Sequence, residues 1–264
     1  MSETYSDGGN LSHSVAPLAN ASRLLALVDR CMNRAQGLPG MGTFYGHAGL
    51  GKTTAGICAT NSMNAVHIEA LPFGGVKTLL SVIVRELDIV PARTVPMMFE
   101  QAAEALARSG RPLIIDEADS ILKDTLIETV RRLHDVTGVP LILMGEELLP
   151  QKLTRWERVH GRMLSWVGAE PATADDVVHL SRIYAPGIAI DDDLRARILQ
   201  ASRGSIRIVS TNLAYLREFA VTRGFERVGL REWGATPLHS GLAPDRRYGA
   251  SVASPAQSRK RSAA

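Results

Sequence analysis

Gly46-His47-Ala48-Gly49-Leu50-Gly51-Lys52-Thr53 is the stretch that decides how this chain folds. It fits G-x-x-x-x-G-K-[ST], a loop whose glycines let backbone N–H groups converge on phosphate oxygens. Met41 to Tyr45, just before it, reads as a strand, and the residues from about Lys52 onward read as a helix. That context separates a working phosphate loop from a chance match, which in a chain this long is roughly a 1% event. Lys52 supplies a point charge for the outer phosphates, and the helix start adds its positive dipole end. Thr53 supplies a hydroxyl for Mg²⁺. The residues expected around a bound ATP are Gly46, His47, Ala48, Gly49, Leu50, Gly51, Lys52, Thr53 and Thr54.

Downstream, Leu113-Ile114-Ile115-Asp116-Glu117 is an apolar run ending in two carboxylates. Behind a phosphate loop this reads as a buried strand delivering Asp116 to hydrated Mg²⁺ and Glu117 to the water that attacks the γ-phosphate. Neighbouring residues on a strand face opposite ways, which lets the two acids serve different roles. Lys52 and Glu117 are thus the expected catalytic pair.

Around these motifs, short apolar runs alternate with amphipathic stretches. Ala65 to Ala70, Pro112 to Ile115, Val139 to Met144 and Arg162 to Val167 read as further strands. Helices are expected from a cap at Asn20 or Ser22, along Val76 to Leu87, and from Pro96 behind a Thr94 cap to about Ser109. Such alternation implies a parallel sheet covered by helices on both faces. After Pro171 the strands are expected to stop. Thr173 and Asp176 resemble a capping box, and helices are expected near Asp192–Ala201 and Ser205–Arg223. The fold class is therefore α/β: a P-loop sheet flanked by helices, with a small C-terminal helical lid. The expected divisions are a flexible arm over 1–20, the nucleotide-binding domain over 21–171, the lid over 172–234, and a disordered basic tail over 235–264.

Composition narrows the class. No apolar run of the 264 residues approaches the ~20 needed to span a membrane, and Met1 to Asn10 lacks a signal layout. Both point to the cytoplasm, bacterial or phage-infected. Cys31 and Cys58 read as buried, reduced thiols, and nothing has metal-ligand spacing. The net charge of +3 sits mainly at the end, where Arg246, Arg247, Arg259, Lys260 and Arg261 face Asp245 alone. His67 and His134 read as structural, and Arg131-Arg132 as an exposed helix face.

Phosphate loop, Asp-Glu strand, a further strand and a helical lid together resemble the AAA+ superfamily. The resemblance identifies Gly204-Ser205-Ile206-Arg207 with the sensor-2 pattern, so that Arg207 reaches the γ-phosphate from the lid. It implies an arginine finger, given to a neighbouring subunit's ATP, just before the fifth strand. Arg155, Arg158 and Arg162 lie there, with Arg162 and Arg158 leading. The strand Leu141 to Met144 sits where sensor 1 belongs, yet ends in Gly145-Glu146 rather than the usual Asn, Ser or Thr. Pore-facing loops of the superfamily follow the second strand and the Asp-Glu strand, which makes Lys77, Thr78 and Lys123 the expected phosphate contacts to DNA.

Within AAA+, the compact form and Met144-Gly145-Glu146-Glu147-Leu148-Leu149 are similar to the transposition ATPases of the phage Mu B type, over roughly residues 20–225. That resemblance implies an ATP-bound homo-oligomer, filament or ring, that coats double-stranded DNA with little sequence preference and activates a transposase. The Mu-type helix-turn-helix region has no room in the ~20 residues ahead of the first helix. Two alternatives belong to other classes: a helicase-loader or initiator-like ATPase, and a secretion-type ATPase, the latter lacking its usual membrane span here.

Overall fold

The computed structural model describes residues 18–241; the basic run Ser258-Arg259-Lys260-Arg261 and nearly all of the expected N-terminal arm lie outside the described residues. In chain order the elements are α1 (Ala19–Met32), β1 (Met41–Tyr45), α2 (Lys52–Met63), β2 (Val66–Glu69), α3 (Val76–Glu86), α4 (Val95–Ser109), β3 (Leu113–Asp116), α5 (Asp124–Thr137) and β4 (Leu141–Gly145). There follow α6 (Leu149–Leu153), α7 (Glu157–His160), β5 (Met163–Gly168), α8 (Ala174–Tyr184), β6 (Ala189–Ile190), α9 (Asp192–Ser202), α10 (Ile206–Arg223), β7 (Arg227–Val228) and α11 (Leu230–Trp233). A 3-10 turn over Ala118–Ile121 joins β3 to α5.

Five strands form one parallel sheet in the order β2-β3-β4-β1-β5. The central strands are apolar on both sides because both faces are covered. Phe44, Ile114, Ile142 and Met144 face α1, α2 and the C-terminal helices. Met41, Leu113, Ile115, Leu141 and Leu143 face α3, α4 and α5. Strand alternation thus divides one sheet between two cores, and all five strands end on the edge where the phosphate loop and Asp116 sit.

Several local expectations change. Asn20 does not cap α1, which begins at Ala19 behind Leu18. Buried in the first turn, Asn20 donates from Nδ2 to the carbonyls of Leu50 and Glu170, both at 2.8 Å, and accepts the Glu170 N–H at 2.9 Å. The amide bridges rather than caps because both a loop carbonyl and a strand-end peptide need partners there. Pro96 is the second residue of α4, not the first. Cys58 is only partly buried, whereas Cys31 is fully buried and its thiol is pushed up to about 11 by that burial. Arg131 is not an exposed companion of Arg132; its side chain is 15% exposed and ion-paired to Glu128 and Asp135.

The strands do not stop at Pro171, because β6 and β7 pair in parallel through Ala189–Arg227 and Ile190–Val228. Two-residue strands leave no periodicity for a sequence to show. The capping box opens α8, and Asp176 accepts from Thr173 N at 2.7 Å with Oδ2. Its Oδ1 accepts from Ala19 N at 2.8 Å, so one carboxylate serves the starts of two helices. Residues 235–241 do not begin a disordered tail: buried Asn212 pairs with both backbone groups of His239, at 2.7 and 2.9 Å.

Candidate functional site

β1 runs out at Tyr45 into the glycine turn, and Gly46, Gly49 and Gly51 all take positive φ, the backbone region glycine enters without cost. A side chain at Gly49 would meet Ser205 Oγ at 2.7 Å, so α10 begins hard against the loop. Arg207 N donates to the Gly49 carbonyl at 3.2 Å. Lys52 opens α2, and its ammonium donates to the carbonyls of Gly46 at 2.6 Å and His47 at 3.0 Å. Burial lowers its pKa, against the pull of Asp116, Glu117, Glu146 and Asp119.

β3 delivers Asp116, 3% exposed, beside the loop: the Thr53 hydroxyl donates to its Oδ2 at 2.8 Å and the Glu117 N–H to its Oδ1 at 2.8 Å. Burial pushes this carboxyl up; the neighbouring His67 imidazole, the Thr53 hydroxyl and the Glu117 amide more than offset it and hold it below the ordinary value. His67 Nε2 stands 3.8 Å from Oδ2, beyond hydrogen-bond reach, and has no partner of its own. Glu117 leaves the strand in a left-handed conformation (φ 51°, ψ 40°) and is exposed at the mouth of the site. Burial and the Asp116 charge raise its pKa. The opposition of the two acids therefore comes from a turn, not from strand alternation.

The loop, Glu117, Gly145 and Glu146 share a cleft of about 730 Å³ with one face of α10: Arg207, Ser210, Thr211, Ala214, Tyr215 and Glu218. That volume suits a nucleotide-sized ligand. Of the expected nucleotide residues, Ala48, Gly49, Gly51, Lys52, Thr53, Thr54 and Arg207 line it. Gly46, where an added Cβ would meet that of Ala169 at 3.1 Å, and buried Leu50 support the loop from behind, and His47 is exposed beside it. A buried carboxylate paired with a hydroxyl is the hard oxygen donor set of Mg²⁺, which takes one or two protein oxygens and completes its shell with water and phosphate. Among the described residues no cluster of three or more His, Cys, Asp or Glu could hold a metal alone.

The three arginines ahead of β5 are not equivalent. Arg162 is tied to Asp135 through Nε–Oδ1 at 2.7 Å and Nη2–Oδ2 at 3.4 Å, and Arg155 lies over the Trp156 ring at 5.6 Å. Arg158, exposed on α7, makes no side-chain hydrogen bond or ion pair among the described residues. The stretch carrying them is stapled to β3's downstream elements three times: Lys152 to Asp119 at 2.7 Å, Trp156 Nε1 to Asp124 at 2.8 Å, and Arg162 to Asp135. Asp119 also accepts Glu146 N–H at 2.7 Å and leaves no room for a side chain at Gly145. The Asp119 and Asn20 bridges left no local signal to read, since their partners stand 27 to 150 residues away.

Lys77, exposed, and Thr78, half-buried against Gly74, open α3; Lys123, exposed, precedes α5. The β2–α3 loop and the segment after β3 close on a small hollow lined by Leu71, Gly74, Gly75, Thr78, Ile121 and Leu126. Both segments thus share one edge of the sheet.

A glycine-turn phosphate loop after β1, acids at the end of β3, a β2-β3-β4-β1-β5 parallel sheet and an arginine from the C-terminal helices define the AAA+ P-loop fold. Residues 35–153 match the family model described as AAA domain. Among solved structures, the chain is similar to the Orc1 protein of Aeropyrum pernix in complex with DNA (TM-score 0.58, 19% identity, covering 84% of this chain and 66% of that one). It is likewise similar to Cdc6p from Pyrobaculum aerophilum (TM-score 0.59, 17% identity, covering 84% and 65%). It therefore spans just under two thirds of each of those chains, and at such identity the likeness is one of fold. No curated protein matches the chain in sequence. Among the described residues no helix is long and apolar enough to cross a membrane.

Proposed function

We propose that this chain is a Mg²⁺-dependent AAA+ ATPase that assembles with copies of itself on double-stranded DNA and, in initiator or loader fashion, acts on a nucleoprotein partner. The observation that carries the ATPase reading is the 2.8 Å contact between Thr53 Oγ1 and Asp116 Oδ2 at the foot of the phosphate loop. Bound Mg²⁺ supplies charge neutralisation of the outer phosphates. Thr53 and Asp116 hold it. Lys52 exchanges the carbonyls of Gly46 and His47 for phosphate oxygens, and Arg207 approaches from α10. Glu117, turned away from Asp116 into the mouth of the cleft, orients the attacking water and accepts its proton. Arg158 is the finger given to a neighbouring copy, because Arg162 is already engaged by Asp135. Lys77 and Lys123 hold DNA phosphates, and Thr78 supports the turn beneath them.

Support for the initiator-like form comes from the Orc1 chain, whose structure is of a complex with DNA. The second reading, a regulator that directs a transposase to target DNA, is supported by the Met144–Leu149 resemblance to transposition ATPases. Electron microscopy with ATP, Mg²⁺ and random-sequence duplex separates them: continuous DNA-dependent filaments favour the second, discrete rings or short complexes the first. Calorimetry with a non-hydrolysable ATP analogue showing no uptake, or Lys52→Ala turning over as wild type, would overturn both.

A further inference from the structure

We infer that Phe73 is a base-stacking contact to duplex DNA, on the same sheet edge as the phosphate-holding residues Lys77 and Lys123. The inference rests on the DNA-binding reading above and names how that surface grips its ligand.

Phe73 is 85% exposed, while the other four phenylalanines, Phe44, Phe99, Phe219 and Phe225, are buried or half-buried. A single exposed apolar residue is ordinary, so presentation and surroundings must decide. Phe73 is held out, because the Gly74 N–H donates to the Leu71 carbonyl at 3.2 Å and closes a turn. Pro72 occupies the second position of that turn, where its fixed φ belongs, and Phe73 the third. Thr78 packs under Gly74, and the Leu79 N–H donates to the Gly75 carbonyl at 3.0 Å, so the base of the turn is anchored in α3. The turn therefore holds the backbone that displays the ring, and the ring itself stands in solvent.

The same edge carries two lysines among acids. Lys77 follows four residues later, and the loop backs onto the segment holding Lys123. Neither lysine makes an ion pair among the described residues. Of the nearby acids, Asp124 keeps its charge while accepting from the Trp156 indole, and Glu69 lines the same hollow from the end of β2, so the two lysines act locally rather than through a net positive field. Unpaired ammonium groups flanking a displayed aromatic complement phosphates flanking a base, as in proteins that wedge apolar side chains into DNA steps. The loop is also wired to the acids: Ala70 N–H donates to the Asp116 carbonyl at 2.9 Å, three residues before Phe73.

The test uses the full chain with ATP analogue and Mg²⁺, a fluorescein-labelled random duplex and a 2-aminopurine duplex. Phe73→Ala is expected to weaken DNA binding roughly five- to a hundredfold, and Phe73→Trp to stay within about twofold of wild type. The slope of log affinity against log salt should be unchanged by Phe73→Ala but fall by about one in Lys77→Ala. Wild type should raise 2-aminopurine fluorescence on binding and Phe73→Ala should not. Affinity for a fluorescent ATP analogue, equal in all variants, reports intact folding. Phe73→Ala binding DNA as wild type does, or weakening assembly without DNA while sparing DNA affinity, overturns the inference and makes the loop a protein contact. If wild type itself binds no DNA with nucleotide present, the failure belongs to the reading beneath it.

Discussion

Replacing Asn20 by Ala removes three hydrogen bonds at once, to Leu50 O, Glu170 O and Glu170 N, from a side chain only 5% exposed. At about 1 kcal/mol each, with part of the desolvation penalty of the orphaned peptide groups, the loss comes to ~2–4 kcal/mol. For a fold of this size that lowers Tm by roughly 5–12 °C. Asn20→Asp separates bonding from packing. It keeps the volume and can still accept from Glu170 N, but sets a carboxylate oxygen against two carbonyls that the native amide meets at 2.8 Å. At pH 7 the Asp variant should be at least as unstable as Ala, and acidification toward its protonated form should narrow the gap. Urea unfolding followed by circular dichroism, with equal m-values, reads both. An Ala variant within 1 kcal/mol of wild type, or an Asp variant as stable as wild type, refutes the bridge.

Glu117→Gln should bind ATP normally, slow turnover by about 10²–10⁴-fold and prolong residence on DNA; equal dissociation rates for mutant and wild type in ATP would remove Glu117 from the chemistry. Gly204→Ala places a Cβ 2.4 Å from Pro171 Cβ at a φ of +74°, and should cost at least about 2 kcal/mol in a thermal melt. His134 donates from Nδ1 to the Val139 carbonyl at 2.8 Å, and burial holds its pKa below the ordinary 6.5. The unfolded chain binds the proton more readily, so this contribution is complete above pH ~6.5 and is lost as pH falls toward the folded value. Melting wild type and His134→Asn between pH 5.5 and 7.5 should show the steeper decline in wild type.

The phosphate loop, the two acids at the end of β3 and the parallel character of the main sheet were legible because each is written in adjacent residues with a fixed period or spacing; the strand order was not. What stayed hidden depends on distant partners. Asn20 looks like a cap until Glu170 is placed beside it, and His239 looks like tail until Asn212 is. Arg158 and Arg162 are indistinguishable in sequence, since only the position of Asp135 on α5 sets them apart. Glu117 was expected to diverge from Asp116 by pleating, whereas a left-handed residue turns it.

Three side-chain staples fasten 152–162 to the 3-10 turn and α5, in addition to the stretch's own backbone bonds. Arg158 lies between two of these anchor points, Trp156 and Arg162, so its backbone is placed by α5. The joints differ in their tolerance of the medium: the Lys152–Asp119 bond, 43% exposed on the lysine side, loosens with added electrolyte, while the indole bond of Trp156 is neutral on its donor side and does not.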